Sequence, residues 1–232
     1  MAALSNHLVA VTAGFSGSDV LLFGAIDSAG DESSAASSGP SDIVVVVRGP
    51  DGLASVHRKG RSLGIWVNEA GMSFSGVPGF WAMATTRPIA EILPDTVADF
   101  HQLGLERLVF TPLENTSVRR AREFHDALVR TRMDEGLFAA MPGEIHFLGN
   151  RLFRTDLWIP ANAPIGTYTV SVFLVRDHDV VSAETTPLVV GKVGLEARIY
   201  AFAHHQSFLY GMVAVIIAAM AGWLGNLAFR KG

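Results

Sequence analysis

The sequence contains no cysteine, and that absence removes several classes of protein at once. Disulfide frameworks, thiolate metal sites and cysteine nucleophiles all need a sulfur that this chain of 232 residues lacks. Enzyme motifs are missing too, for there is no GxSxG elbow, no GxxxxGK(S/T) phosphate loop and no GxGxxG dinucleotide motif. We therefore expect neither catalysis nor a cofactor, and a hydrolase with a site assembled from distant residues is the weakest hypothesis.

The chain as a whole has no excess of positive charge, because Lys and Arg are spread along it. Lys and Arg number 18 against 22 Asp and Glu, which gives a net charge of −4. No basic field attracts nucleic acid, so we expect no nucleic-acid partner. The eight histidines show no HExxH or similar ligand spacing, and only His204 and His205 are adjacent. We expect no metal site, and copper or zinc binding by that pair is an alternative.

One long run near the C-terminus has no charged side chain. Residues 208–229 are almost wholly apolar, and about 20 such residues in a helix span the roughly 30 Å hydrocarbon core of a bilayer. Tyr210 and Trp223 lie near the two ends, and Arg230 and Lys231 follow directly. These features predict a transmembrane helix with a cytoplasmic C-terminus, the alternative being a buried core helix.

This helix sets the predicted organisation of the whole chain. The large domain is expected in the periplasm, and the protein in the inner membrane as a single-pass protein. The segments are a domain over residues 4–190, a juxtamembrane segment 191–206, the transmembrane helix 207–229 and a cytoplasmic tail 230–232. Residues 1–10 lack the pattern of a secretory signal, so we expect residues 1–3 to be a mature or truncated start.

Small residues recur every four positions within the apolar run. Ala214, Ala218 and Gly222 form this stripe, and Asn226 continues it. A spacing of four places them on one helix face, where close approach and an amide hydrogen bond promote helix association in lipid. We predict a packing face for a multi-pass transporter or a second copy of the chain, the alternative being a plain anchor.

Short strand-like runs dominate the remaining sequence. They are bounded by Gly, Pro, Asp or Ser and lie at residues 7–15, 20–26, 43–48, 54–59, 64–68, 80–85, 145–147, 152–159, 167–175 and 180–190. The turn at residues 50–52 predicts a hairpin over residues 43–59. Residues 28–41, rich in Ser, Ala and Gly, are predicted to form a flexible loop.

The strand-like runs are interrupted over residues 88–141, where we predict a helical insertion. Helix formers fill residues 95–103 and 119–135, with candidate caps before the second helix and Gly136 after it. Five arginines in this helix favour a solvated face over an anion-binding surface, because acidic residues are interspersed among them. They are Arg119, Arg120, Arg122, Arg130 and Arg132.

The strand count favours a mainly β fold, an immunoglobulin-like β-sandwich carrying the helical insertion. Pro164-x-Gly166-x-Tyr168 before an alternating strand is common near the end of such sandwiches. Aromatic residues in strands are more often core than ligand pocket, and that is our expectation for Trp66, Phe80, Trp81 and Trp158.

Four basic or potentially basic side chains lie close together at residues 56–61, which we predict to form a turn between strands. Arg58, Lys59 and Arg61 could hold sulfite, sulfate or phosphate through charge-assisted hydrogen bonds, so we assign them as a candidate anion-binding site. A solvated turn is the simpler alternative.

Several segments resemble an alphaproteobacterial family of transmembrane proteins called Alph_Pro_TM. They are LSNH at 4–7, GFSG at 14–17, VRGP at 47–50, GIWVN at 64–68, PGF at 78–80, FLG at 147–149, LFR at 152–154, PxGxY at 164–168 and TPLVV at 186–190. The missing signal peptide and the long loop 28–41 depart from the family pattern.

The resemblance implies an exported single-pass protein, often encoded beside TauE/SafE-type transporters of sulfite and organosulfonates. A periplasmic accessory protein of such a transporter is therefore the leading hypothesis. A freestanding envelope sensor or metal-handling module is the alternative.

Overall fold

The fold was analysed in a computed structural model, which describes residues 2–4, 8–11, 16–26, 41–62, 64–149 and 151–192 and positions 212, 215, 219 and 220. The chain divides into two compact units. The first comprises residues 1–9 and 15–191, and the second comprises residues 10–14 and 192–232. Strands dominate the described part of the first unit, so the mainly β prediction is confirmed.

The first sheet has four antiparallel strands in the order β1-β3-β11-β10. They are β1 Ala2–Leu4, β3 Gly17–Ala25, β11 Leu152–Pro160 and β10 His146–Leu148. Alternate residues of β11, among them Phe153, Leu157 and Ile159, are buried while their neighbours are exposed. This period of two is expected of a strand with one face on a core.

The second sheet has six strands in the order β2-β13-β12-β4-β7-β9. They are β2 Leu8–Val11, β13 Asp179–Lys192, β12 Gly166–Arg176, β4 Asp42–Arg48, β7 Trp81–Thr85 and β9 Gly143–Glu144. β7 and β9 pair in parallel. Val44 and Val45 are both fully buried, so β4 is covered on both faces, as its run of β-branched residues predicts.

The third sheet is a long hairpin with a short third strand. β5 Asp51–Ser62 pairs with β6 Ile65–Pro78, and β8 Thr111–Pro112 adds to β6. The predicted hairpin over residues 43–59 is therefore wrong. β4 pairs with β12 and β7 in the second sheet, while Gly49 and Pro50 lead the chain into a different sheet.

The helical elements lie between β7 and β9. They are α1 Ile89–Ile92, α2 Asp95–Phe100, a 3₁₀ turn Leu105–Arg107 and α3 Val118–Asp134. The Ser117 hydroxyl caps α3 by accepting from the Arg120 amide at 3.4 Å. At the other end, Leu137 N–H donates to the Arg132 carbonyl, and Gly136 (φ 71°) takes the left-handed conformation that closes the helix.

A hydrophobic core joins the helices to the second and third sheets. It includes Val44 of β4, Phe74 of β6, Trp81 of β7 and Leu128 of α3. Phe80 is also buried, so the core prediction is confirmed for Phe80 and Trp81. It is wrong for Trp66 and Trp158, which are 67% and 53% exposed because both strand segments point these rings away from the core.

The Pro-x-Gly-x-Tyr segment forms a closed corner before β12. Tyr168 is fully buried, and its hydroxyl donates to the Pro164 carbonyl at 2.6 Å. Burial raises the pKa of this phenol, because the charged form would lose its water. Gly166 (φ 150°) passes so close to Pro50 that a Cβ atom would lie 2.9 Å from its ring.

Most of the second unit, including most of residues 207–229, lies outside the described residues. Met212, Val215, Ala219 and Met220 have helical backbone. Within the described residues, no helix is long and apolar enough to span a bilayer. Three predictions fall on residues outside those that the structure describes. They concern the packing stripe of Ala214, Ala218, Gly222 and Asn226, the loop 28–41 except for Ser41, and the pair His204 and His205.

Candidate functional site

The basic segment at residues 56–61 lies within strand β5 and not in a turn, so the predicted turn is wrong. The reversal comes later, between Ser62 and Ile65, where Gly64 has φ of 84°. Gly60 instead serves close approach of the opposite strand, since a Cβ atom there would lie 1.7 Å from Glu69 Oε1. Glycine inside a strand often marks such a close approach or a bulge.

A bulge reshapes β5 and β6 at the basic segment. His57 pairs with Gly71 and Lys59 with Asn68, so β6 carries one extra residue between these pairs. The His57 ring lies over Gly71, where a Cβ atom would come within 2.6 Å of Cδ2. Bulges of this kind bend the strand that carries the extra residue, here β6.

Strand β5 and helix α3 enclose a cleft, which we call the β5–α3 cleft. Its first cavity has a volume of about 370 Å³ and is lined by Val56, His57, Arg58, Glu123, Phe124, Asp126, Ala127 and Arg130. A neighbouring cavity of about 330 Å³ is lined by Ala54, Ser55, Val56, His57, Lys59, Asn68, Leu128, Thr131, Arg132 and Glu135. Val56 and His57 line both cavities, so the two lie side by side along the strand.

The structure brings two of the three predicted anion-binding residues to this cleft. Arg58 lines the first cavity and Lys59 the second, whereas Arg61 lines neither. Arg130, which the sequence pattern assigned to a solvated helix face, lies in the first cavity with Arg58. The carboxylates interspersed along α3 had favoured that solvated face over an anion-binding surface of its five arginines.

Both signs of charge line the first cavity. Arg58 and Arg130 contribute two guanidinium groups, and Glu123 and Asp126 contribute two carboxylates. In the second cavity Arg132 donates to the Glu135 carboxylate at 3.0 Å, and Lys59 adds a further positive charge. The cleft therefore suits a polar ligand that itself carries both signs.

Aromatic packing and one histidine hold α3 in position against the third sheet. Phe74 of β6 meets Phe110 edge to face at 6.4 Å, and the Phe110 ring lies 4.7 Å from the His125 ring of α3. His125 Nε2 hydrogen-bonds to the Leu108 carbonyl at 2.9 Å, and Nδ1 lies 3.2 Å from Asp126 Oδ1. The last contact also restrains a carboxylate of the cleft.

A second charged cluster lies at the start of β4. The Asp42 carboxylate accepts from the Thr86 hydroxyl at 2.8 Å and from Arg87 through both its Nε (3.0 Å) and its Nη2 atoms. Burial alone would raise the pKa of Asp42, but these hydrogen bonds and the Arg87 charge together hold it below the ordinary value. The pairing satisfies Asp42, so this cluster is structural.

The described residues contain no group of three or more His, Asp or Glu side chains placed to hold a metal ion. Positive φ angles occur at Asp177 (50°) and His178 (64°), which form the two-residue turn between β12 and β13. A tight two-residue hairpin turn requires positive φ at both of its residues. The turn itself therefore explains these angles, and no bound ligand is needed to explain them.

Fold and site together define a mainly β protein with a helical insertion and a charged cleft between a hairpin and a helix. The chain belongs to the family described as "Putative transmembrane protein (Alph_Pro_TM)", whose family model matches residues 1–231. The comparisons with curated proteins and with solved structures gave no match.

Proposed function

We propose that this protein is a membrane-anchored periplasmic accessory protein of a TauE/SafE-type transporter and binds the transported sulfur compound in the β5–α3 cleft. The observation that carries the proposal is the convergence of Arg58 and Arg130 in one cavity. Guanidinium groups form paired, charge-assisted hydrogen bonds to sulfur and phosphorus oxyanions. The role is binding and interaction, not catalysis.

An immunoglobulin-like sandwich is the fold we infer for the domain. The order β1-β3-β11-β10 corresponds to strands A-B-E-D of that fold, and β13-β12-β4-β7 corresponds to G-F-C-C′. Tyr168 stands near the start of the strand equivalent to F and donates back to Pro164, as the tyrosine of that corner does. Such sandwiches hold binding elements on a rigid frame.

The membrane anchor in this proposal is a helix over residues 207–229. Family membership supports it, as does the absence of charge over residues 208–229. Arg230 and Lys231 favour a cytoplasmic C-terminus and hence a periplasmic domain over residues 4–190. Ala214, Ala218, Gly222 and Asn226 form the face proposed to meet the transporter.

The charge of the cleft narrows the ligand class. Inorganic sulfite offers only negative charge, which Glu123 and Asp126 would repel. An aminoalkanesulfonate carries a sulfonate for Arg58 and Arg130 and an ammonium group for the carboxylates. We therefore propose a zwitterionic organosulfonate as the ligand of the first cavity.

Calorimetry on the full chain in mild detergent tests this assignment with 2-aminoethanesulfonate, sulfite and sulfate as separate ligands. We expect the aminosulfonate to bind most tightly. Arg58→Gln and Arg130→Gln should each weaken its binding by about ten- to a hundredfold, the loss of one charged hydrogen-bond donor. Arg61→Gln is the matched control outside the cleft and should leave binding unchanged.

Two results would contradict the ligand assignment. Equal losses for Arg58→Gln and Arg61→Gln would show a general charge effect in place of a cleft. Tighter binding of sulfite than of the aminosulfonate would remove the role given to Glu123 and Asp126.

A further inference from the structure

The outer part of the β5–β6 hairpin, residues 59–68, is a two-stranded arm. In the described part of the chain, β8 pairs with β6 only at Phe74 and Ser75. Beyond the bulge, β5 and β6 pair with one another, with Arg61 opposite Trp66 and Ser62 opposite Ile65. Four residues of strand from Lys59 to Ser62 extend roughly 13 Å.

Apolar side chains at the end of this arm are exposed on both of its faces. Ile65 and Trp66 on successive positions of β6 are each 67% exposed, and Val67 is 39% exposed. Successive strand residues point to opposite faces, so neither face of the arm is covered here. Exposed apolar groups gathered in this way indicate a surface that is covered in the working protein.

Positive charge accompanies these apolar groups. Lys59 and Arg61 are exposed on the neighbouring strand, and Arg61 is the direct cross-strand partner of Trp66. Glu69 is the one acidic residue among residues 56–70, and its side chain lies over Gly60. The arm therefore combines a tryptophan, aliphatic groups and a net positive charge.

That combination matches the interface of an anionic bilayer. Indole rings favour the headgroup layer, and Arg and Lys extend apolar stems toward lipid while their charged ends reach phosphates. A stable protein partner normally covers about 800 Å² on each side, which calls for far more than three apolar side chains on a narrow arm.

We propose that the hairpin arm is a second, peripheral membrane contact. Ile65 and Trp66 enter the headgroup layer of an anionic bilayer, and Lys59 and Arg61 bind lipid phosphates. This contact goes beyond the proposed accessory function and does not depend on the helix over residues 207–229 or on ligand binding by Arg58 and Arg130 in the first cavity. Lys59 belongs both to the arm and to the lining of the second cavity of the β5–α3 cleft.

Site-specific fluorescence on the full chain tests the contact, because the absence of native cysteine makes single labelling unambiguous. Ile65→Cys carries an environment-sensitive nitrobenzoxadiazole probe at the end of the arm. Leu53→Cys, 75% exposed at the base of the same hairpin, is the matched control. Each labelled chain is combined with phosphatidylcholine vesicles with and without phosphatidylglycerol, including vesicles that contain nitroxide-labelled lipid.

We expect a blue shift and nitroxide quenching at position 65, larger with phosphatidylglycerol, and neither change at position 53. Adding Lys59→Gln and Arg61→Gln should remove the dependence on phosphatidylglycerol without changing the melting temperature, since both side chains are exposed. A position-65 probe that stays in water in all vesicles overturns the proposal. Equal shifts at positions 53 and 65 also overturn it, as does a shift that requires a co-reconstituted transporter.

Discussion

At the scale of single residues, the buried polar groups show how this sequence secures its sheets. Asp42 and Tyr168 carry polar atoms away from water, and each finds a partner within the fold. An unpaired buried group costs more free energy than a made hydrogen bond returns, so pairing is the general rule. Substitutions at these positions test how much each hydrogen bond contributes to the free energy of unfolding.

Asp42→Asn should lower the free energy of unfolding at neutral pH by about 1 to 2 kcal/mol, because the charged pair with Arg87 is lost while Arg87, which is partly exposed, regains water. The lowered pKa of Asp42 means that its contribution is present above an unfolded pKa of about 3.9 and disappears as pH falls through the lower folded value. Urea unfolding between neutral and acidic pH measures the difference.

The control for this prediction is Asp51→Asn, which removes an exposed pair with Arg48 at 2.8 Å. Exposed pairs contribute at most about 1 kcal/mol, so this variant should lie close to the wild type. A gap between wild type and Asp42→Asn that stays constant down to the most acidic pH would contradict the assigned pairing.

Tyr168→Phe tests the corner before β12. Removing the hydroxyl leaves the half-buried Pro164 carbonyl without its 2.6 Å donor, and we expect the free energy of unfolding to fall by about 1 kcal/mol. The ring itself is retained, so the packing against Phe80 at 5.8 Å is unchanged. An unfolding midpoint equal to that of the wild type would show that the hydroxyl has no role in stability.

At the scale of elements, local patterns predict the strands and helices better than they predict strand partners. Helix α3 follows from a Ser117 cap, good helix formers and Gly136, all of which act within a few residues. The hairpin over residues 43–59 could not be excluded locally, because whether β4 pairs with β5 or with β12 depends on residues far along the chain.

The end of α3 offers an element-scale test with a matched control. A Cβ atom added at Gly136 or at Gly52 would meet nothing within 4 Å, but only Gly136 has positive φ, at 71°. Gly136→Ala should therefore destabilise the protein by about 1 kcal/mol through backbone strain alone, and Gly52→Ala should not. Equal effects in thermal unfolding would remove left-handed strain as the cause.

In the cleft, too, the residues of one segment can be recognised from the sequence, whereas the residue that packing brings to them cannot. Residues 56–61 attract attention because four basic or potentially basic groups are adjacent in sequence. Arg130 does not, since it is one of five arginines on a helix with interspersed carboxylates, and only the packing of α3 beside β5 places it opposite Arg58. The charges along one strand or helix do not indicate which other element will pack against it.

At the scale of the whole molecule, composition and strand runs are enough to predict a mainly β protein, and the described residues confirm it. The long apolar run and the description of the family both point to the membrane. Sheet order, in contrast, is a property of the complete chain, because the strands β3 and β11 that form the centre of the first sheet are distant in sequence. The same non-local pairing holds β4 between β12 and β7.

The proposed function requires that the protein bind a transporter in the membrane, and co-isolation measures that association. The full chain is co-expressed with a TauE/SafE-type transporter, extracted in mild detergent and purified by an affinity tag on the chain. Ala218→Leu combined with Gly222→Leu adds bulk to the proposed helix-packing face, while Val213→Leu adds it to the opposite face.

We expect the wild type and the opposite-face variant to elute with the transporter, and the packing-face variant to be inserted in the membrane but to elute without it. A wild-type chain that elutes alone, or only as a homodimer, while the transporter is extracted intact would contradict the account.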